Sequence, residues 1–444
     1  MPKHLNAGDC YGISFTEKPM LGRLPEDALN ISQEDRNRLR FLAEKKHRFA
    51  NEKIIEERRI LWKAANDLTM IRPPVFIDEI PWIEMNQGDL DLRCSHDFAR
   101  ELEENLLKEV YCYEHGLGDM VVEDFIECPL LVYDSGFGID EVVDTRSTEK
   151  NSDIVSRHFH ILIADMADIE KIKEPDIYVD HARTQQYADC MREIFDGILP
   201  VKITGPRGLW FTPWDFLIRV MGIGETMLNL YDNPEFIEAA VERYVDCAML
   251  RLHKYTALGI WASNNAPCRV GSGGYGLTND LPQTEGNELN CNPSQLWGCG
   301  NAQIFSDVSS KMHWQFSLQY EMRWLSNFGL NYYGCCEPLY NKMDILEKIP
   351  NLRKVSMSPW NRLDVAASRC KGKYVMSCKP SPALFASDHF DAEKAVKEID
   401  DILQATKGCD LEIVMKDIST VNYHPEHLWE WAKIAKETIE KHYS

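Results

Sequence analysis

The second half of the chain alternates short apolar runs with longer amphipathic stretches. The apolar runs are rich in β-favouring residues, and the stretches between them repeat apolar positions at helical spacing. Strand and helix follow one another with short loops, which is typical of a parallel α/β architecture. The predicted strands cover 199–204, 260–262, 330–334, 354–357, 374–376 and 411–415, and the predicted helices cover 214–230, 234–258, 309–328, 339–349, 391–406 and 425–442.

Several of the predicted strands end in polar or reactive side chains. Cys335, Cys336 and Glu337 follow one run, Lys379 follows another, and Lys416-Asp417 follows the last. Reactive side chains at the carboxyl ends of strands mark the active-site face of a (β/α)8 barrel. The pattern therefore predicts an α/β fold, a TIM (β/α)8 barrel with a helical and mixed N-terminal extension.

The first half lacks this rhythm. We expect a helical N-terminal extension over 1–110, a subdomain over 111–197 that leads into the barrel, and the barrel itself over 198–444. Within the extension, residues 32–67 are predicted to form one long charged helix opened by a capping pair, Ser32 and Asp35. Such a helix could pack on its own barrel or support a homodimer.

Composition narrows the function classes. The net charge of -21 argues against nucleic acid, which needs clustered cations. No apolar stretch approaches the roughly 20 residues of a membrane span. The start, Met1 to Asp9, lacks the apolar core of a signal peptide, and the 14 cysteines contain no CxxC pair. We therefore expect a cytoplasmic protein with reduced thiols and no membrane partner.

The glycine-rich segment 271–276 has the spacing of neither a dinucleotide-binding loop nor a P-loop. It predicts an active-site loop that serves as a lid or a docking loop over 271–282, with a plain connector as the alternative.

The strand-end residues offer two kinds of chemistry. Cys335 or Cys336 could bind zinc together with Glu337 if other strands supply ligands; the alternative is a buried cysteine pair beside a solvated carboxylate. Lys379, Lys416 and Asp417 follow apolar runs, where charges need partners, although ordinary loop charges would look the same.

Aromatic side chains also lie near the predicted strand ends. Trp261, Trp297 and Trp360, with Asn264 as a polar anchor, would suit a flat apolar ligand. Core filling explains any one of these tryptophans equally well.

Four motifs in residues 198–444 resemble the uroporphyrinogen decarboxylase superfamily. Its Gly-Pro turn is matched by Gly205-Pro206, and its helix entry by 302–309 leading into Phe316-x-x-x-Tyr320. Tyr333-Gly334-Cys335-Cys336 falls where the superfamily has His-x-Cys-Gly, and Ser377-Cys378-Lys379-Pro380 where it often has Gly-Asn-x-Asp-Pro. The resemblance implies a (β/α)8 barrel that is either a decarboxylase or a corrinoid-dependent methyltransferase.

The decarboxylase motif Arg-Gln-Ala-Gly-Arg is missing, which favours the methyltransferase branch. The segments Tyr-Tyr-Gly-Cys-Cys-Glu-Pro, Met-Ser-Pro-Trp and Met-Lys-Asp-Ile-Ser-Thr look like the methyltransferase component of O-demethylases. The resemblance then implies a methoxylated aromatic substrate and a partner protein that carries a corrinoid. By this analogy Glu337 or Tyr333 would protonate the leaving phenolate, and Lys416 or Lys379 would neutralise it, with Asp417 beside them.

One departure from the superfamily concerns zinc. Its zinc methyltransferases use the His-x-Cys pair and a cysteine after the last strand, whereas this chain has Tyr333 and Lys416-Asp417 there. Only Cys335 matches a ligand position. Zinc-dependent methyl transfer from a thiol or amine, transfer from methylcobamide to an acceptor, a decarboxylase and a non-catalytic barrel stay open as alternatives.

Overall fold

The computed structural model describes residues 30–147, 155–282 and 289–443. The predicted absence of a signal peptide concerns Met1 to Asp9, which lie outside these ranges. The strands are β1 (Val75–Ile77), β2 (Ile126–Pro129), β3 (Val132–Asp134), β4 (Val143–Ser147), β5 (Val155–Phe159), β6 (Ile177–Val179), β7 (Val201–Thr204), β8 (Trp297–Gly300), β9 (Leu330–Tyr333), β10 (Leu352–Met357), β11 (Val375–Cys378) and β12 (Leu411–Met415).

Helices cover most of the sequence between the strands. They are α1 (Gln33–Ala50), α2 (Lys53–Asn66), α3 (Trp82–Met85), α4 (Asp97–Glu114), α5 (His181–Phe195), α6 (Pro213–Met221), α7 (Ile223–Asp232), α8 (Pro234–Ala257), α9 (Ser310–His313), α10 (Gln319–Leu325), α11 (Met343–Leu346), α12 (Leu363–Cys370), α13 (Ala392–Ala405) and α14 (Pro425–Tyr443). A π-helical turn, Trp314–Leu318, joins α9 to α10. Among the described helices, none has both the length and the apolar character to cross a membrane.

Six parallel strands form a curled half-barrel in the order β1-β12-β11-β10-β9-β8. Four of them, β8, β9, β11 and β12, are buried at every position, as expected for strands covered on both faces. The main core lies between this sheet and the surrounding helices. The mixed α/β architecture is therefore as predicted, and the sheet brings the carboxyl ends of its strands to one edge.

The complete eight-stranded ring that the sequence predicts is not formed by the described strands. β2 pairs only with β7, in a separate parallel pair, and the predicted strand 260–262 is not a strand. Gly205 packs directly on the carbonyl of Ile260, and Ala262 donates its N–H to Pro206. Because Pro206 has no backbone N–H to donate to the segment 260–262, the strand pairing between the two segments cannot continue there.

Part of the predicted N-terminal extension joins the main sheet. β1 lies within the predicted extension 1–110, yet it pairs in parallel with β12, with Val75 opposite Ile413. In the described part of that segment, the single helix predicted over 32–67 is two helices, α1 and α2. Ser32 does cap α1, accepting the Asp35 N–H at 3.1 Å.

The glycine-rich segment is buried inside the half-barrel and is not an exposed lid. Arg269 and Tyr275 form an isolated antiparallel bridge, which makes a hairpin whose residues 270–278 are all buried. Gly271 packs against the ring of Tyr332, in a left-handed conformation (φ +58°) that leaves no room for a side chain. Glycine is required here because the hairpin fills the interior at van der Waals contact.

Candidate active site

The strand-end residues converge as the parallel sheet requires. Cys335 and Cys336 follow β9, Lys416 and Asp417 follow β12, and Lys416 Nζ lies 3.7 Å from Cys335 Sγ. β9 and β12 are separated by two strands, so the contact crosses the mouth of the curled sheet. Four residues predicted from the sequence are thus brought into one cluster.

The two thiols of this cluster differ in their surroundings. Their sulfur atoms are 3.6 Å apart, and Cys336 Sγ lies 3.6 Å from Asp417 Oδ2. The hydrogen bond from Cys336 lowers the pKa of Cys335, and Lys416 lowers it further against the opposing effect of burial. The bond to Cys335 and burial raise the pKa of Cys336, and Asp417 adds to this. The surroundings therefore favour the charged form at Cys335 over Cys336, because Cys335 faces the ammonium.

Lys416 is held as a cation. Burial alone would lower its pKa, but Cys335, Glu79 and Asp417 together raise it. Its Nζ lies 3.1 Å from Asp417 Oδ1 and 3.6 Å from Glu79 Oε1. Asp417 has a left-handed backbone (φ +57°), which is a sparsely populated conformation for a residue other than glycine.

Glu79, which follows β1, belongs to the same cluster and was missed in the sequence. Its Oε2 accepts the Asp417 N–H at 3.0 Å, and its Oε1 lies 3.4 Å from Arg269 Nη1. Burial raises the pKa of Glu79 to about 7, although Lys416 lowers it. Its side chain is 34% exposed, so this carboxyl group reaches solvent at the mouth of the site. No local pattern marks Glu79, because its contacts with Arg269, Lys416 and Asp417 all lie far away along the chain.

A second cation lies deeper in the same mouth. Lys379 Nζ donates to Tyr332 Oη at 3.0 Å and to Ser356 Oγ at 2.6 Å. Ser272, from the buried hairpin, lies 3.0 Å from the same Tyr332 hydroxyl. Lys379 also favours the charged form of Cys335. The site thus contains two lysines, one next to the Cys335 sulfur and one next to the Tyr332 hydroxyl.

Glu337 is part of the frame of the site. Its Oε2 accepts the Cys335 N–H at 2.9 Å and its Oε1 accepts the Ala302 N–H at 3.3 Å, and the side chain has no exposed surface. Both oxygens are engaged by backbone groups, which fixes the turn carrying Cys335 against the loop after β8. The geometry favours a positioning role for Glu337 over the predicted role as an acid.

Tyr333 points away from the mouth of the site. Alternate residues of a strand face opposite sides, and Tyr332 takes the inner side. The Tyr333 hydroxyl lies 2.8 Å from His313 Nε2, in the helix layer. Burial raises the pKa of the neighbouring Glu321 to about 8. Tyr333 therefore belongs to a buried polar network between the sheet and the helices. This position does not suit the predicted role of Tyr333 as a proton donor in the mouth of the site.

The predicted aromatic walls are not brought together. Trp261 is buried against Tyr255, and Trp297 is buried in the interior with its indole N–H on the Gly276 carbonyl. The Asn264 amide group donates to the Trp297 carbonyl and accepts the Trp297 N–H. Both ends of this amide are therefore already engaged in hydrogen bonds to the backbone. Trp360, in the loop after β10, is 76% exposed. It lies on the rim of the strand-end face.

The donor set does not fit a zinc ion. Within the described part of the chain, no group of three or more His, Cys, Asp or Glu side chains is arranged to hold a metal. The position next to Cys335 Sγ that a metal would need is already taken by the Lys416 ammonium. Lys416 provides the positive charge that a metal would otherwise give to the thiolate.

Comparison with known proteins leaves the family of this chain unassigned. Neither a family model nor a curated protein sequence matches it. Among solved structures, a methyltransferase from Methanosarcina mazei is similar over 87% of this chain and 98% of its own, with 11% identity and a TM-score of 0.46. A likeness this weak carries no information about the reaction.

Proposed function

We propose that this protein is a methyltransferase that takes the methyl group of a methoxylated aromatic compound and delivers it to a corrinoid held by a partner protein. The observation that carries the proposal is the convergence of Glu79 and two lysines, Lys379 and Lys416, on one mouth. An aryl methyl ether breaks only when its departing oxygen is neutralised, and this mouth offers both a proton and fixed positive charge. The sequence motifs that resemble O-demethylase components support the same reaction.

The corrinoid, when its carrier protein is docked, supplies the nucleophile for the methyl carbon. The rim of this chain offers Trp360 and Tyr423, whose exposed aromatic rings suit a flat apolar group. They lie in the loops after β10 and β12. We assign them to the docking contact, which replaces the predicted role of Trp360 as a substrate wall.

Glu79 is the residue that we assign as the acid. A carboxyl group with a pKa of about 7 is protonated often enough near neutral pH to donate, and it recovers its proton from solvent through its exposed side. The ammonium of Lys379 and the phenol of Tyr332 would hold the aryl oxygen or a ring carboxylate. The substrate would thus lie between a proton donor and a cation.

The test is an optical assay of the purified protein with a reduced corrinoid protein and a panel of methoxylated aromatics. Conversion of the cobalt(I) spectrum to that of methylcobalt(III) is the expected result. Glu79→Gln keeps the size of the side chain and removes the proton, and we expect its turnover to fall about 100-fold or more, with substrate affinity retained. The control is Glu437→Gln, on the exposed surface of α14, which should leave turnover unchanged.

Two results would count against the proposal. No conversion with any aromatic ether, with an active corrinoid partner present, would exclude the substrate class. Unchanged turnover in Glu79→Gln would remove the acid role while leaving methyl transfer intact.

A further inference from the structure

Two sulfur atoms lie side by side at the edge of the strand-end cluster. Cys335 Sγ and Cys336 Sγ are 3.6 Å apart, on adjacent residues that follow β9. Cys335 is buried and Cys336 is partly exposed, so the pair borders solvent. Disulfide bonds are about 2.05 Å long, so the two sulfur atoms would have to approach by roughly 1.5 Å. Because the residues are adjacent, the bond would close a small ring, and a strained disulfide of this kind is readily reduced. The Lys416 ammonium beside Cys335 can hold negative charge on that sulfur.

We propose that Cys335 and Cys336 form a reversible oxidation site, a vicinal dithiol that small oxidants of the peroxide class convert to a disulfide. In the first step the Cys335 sulfur attacks one peroxide oxygen and the O–O bond breaks. This gives a sulfenic acid at Cys335, and the thiol proton leaves with the other oxygen as water. In the second step the Cys336 sulfur attacks the sulfenic sulfur, the S–S bond forms, the S–O bond breaks, and a second water leaves.

The step balances without any further reactant. Two thiols lose two protons and two electrons, and one hydrogen peroxide is reduced to two waters. A small dithiol such as dithiothreitol reverses the reaction by exchange. The site is independent of the methyl-transfer proposal, because the thiols react with the oxidant whether or not the protein has that activity.

The position of the pair makes the reaction selective. No disulfide links any of the described cysteines. Cys128 and Cys370, for example, are buried within the core, and burial raises the pKa of Cys128 to about 11 and that of Cys370 to about 12. Such thiols are slow to react because the thiolate is scarce. Cys335 has both a neighbouring sulfur and a neighbouring cation.

The experiment uses the full chain, reduced and then exposed to hydrogen peroxide. Cleavage after Arg323 and Lys342 yields one peptide, 324–342, in which Cys335 and Cys336 are the only cysteines. We expect this peptide to lose two hydrogen atoms in mass and to resist alkylation, and dithiothreitol to restore both properties. Cys370→Ser serves as the matched control and should oxidise at the same rate in this peptide.

Cys336→Ser separates the two chemical steps. This variant can form the sulfenic acid at Cys335 but has no second sulfur, so we expect a dimedone adduct on peptide 324–342 and no internal link. The proposal is overturned if the wild-type peptide keeps its mass and its alkylation while other cysteines of the chain oxidise. It is also overturned if Cys370→Ser abolishes the change in peptide 324–342.

Discussion

The ion pair between Lys354 and Glu412 offers a direct test of how the interior of the half-barrel is held. Both side chains are fully buried, and Lys354 Nζ lies 2.8 Å from Glu412 Oε2. At this distance and an effective dielectric of about 20 their attraction is about 6 kcal/mol, most of which offsets desolvation. The two residues also hold the buried hairpin, since Glu412 accepts the Gly274 N–H at 2.9 Å and Lys354 donates to the Tyr275 carbonyl at 3.1 Å.

Lys354→Met removes the cation and leaves a buried carboxylate whose remaining partner, among the described residues, is the Gly274 N–H. We expect the free energy of unfolding to fall by about 3–5 kcal/mol, the usual cost of breaking a buried pair from one side. The double variant Lys354→Met with Glu412→Leu should recover most of this loss, because no charge is then left uncompensated.

Urea denaturation followed by tryptophan fluorescence measures these differences. The matched control is the exposed pair Lys397–Asp401 on α13, also an ammonium–carboxylate contact at 2.5 Å, where Lys397→Met should cost less than about 0.5 kcal/mol. A loss of under about 1 kcal/mol in Lys354→Met would refute the reasoning. It would mean that the hairpin is held by packing alone and that the buried ion pair adds little to stability.

Two further predictions concern titrating groups. The pKa of Glu321 is raised from an ordinary 4.5 to about 8, so between these values the folded state keeps a proton that the unfolded state releases. The free energy of unfolding should therefore be highest below pH 4.5 and should fall as the pH rises to about 8. Glu321→Gln should flatten this slope in urea titrations and gain up to about 5 kcal/mol relative to wild type at pH 8, and an unchanged slope would contradict the assignment. Lys416→Met should shift the pH profile of Cys335 alkylation upward, because the cation that lowers the pKa of this thiol is removed, whereas Lys433→Met, on the exposed surface of α14, should leave the profile in place.

The parts of the fold that depend on neighbouring residues in the sequence could be predicted. The strand over 411–415 is found with the predicted bounds, and the closing helix begins at Pro425 as expected. Ser32 caps its helix because the capping signal depends on the next three residues alone. Asp35, by contrast, was assigned to the same cap but binds the Ser95 and His96 backbone, a contact sixty residues away.

The site could be located but not fully assembled from the sequence. Parallel strands share one edge, so polar residues at their ends had to meet, and Cys335, Cys336, Lys416 and Asp417 do. The sides of the sheet on which Tyr332 and Tyr333 lie could not be predicted. Because β9 is buried on both sides, its residues do not alternate between apolar and polar, and no pattern shows which side faces the interior of the half-barrel. The apolar run identified the strand, and only packing against His313 decided that Tyr333 faces the helices.

Glu79 illustrates what local patterns leave out. It follows a three-residue strand whose pairing partner lies at the other end of the chain, so nothing near it in the sequence marks it as functional. Once β1 is placed beside β12, the Glu79 carboxyl group that follows β1 must come close to Lys416. It adds a further acidic group to the mouth of the site. Lys416 then has the side chains of Glu79, Asp417 and Cys335 around it, and Glu79 is the member whose pKa is raised to about 7. The residue that we propose as the acid is therefore brought into the site by the pairing of β1 with β12, two strands that lie far apart along the chain.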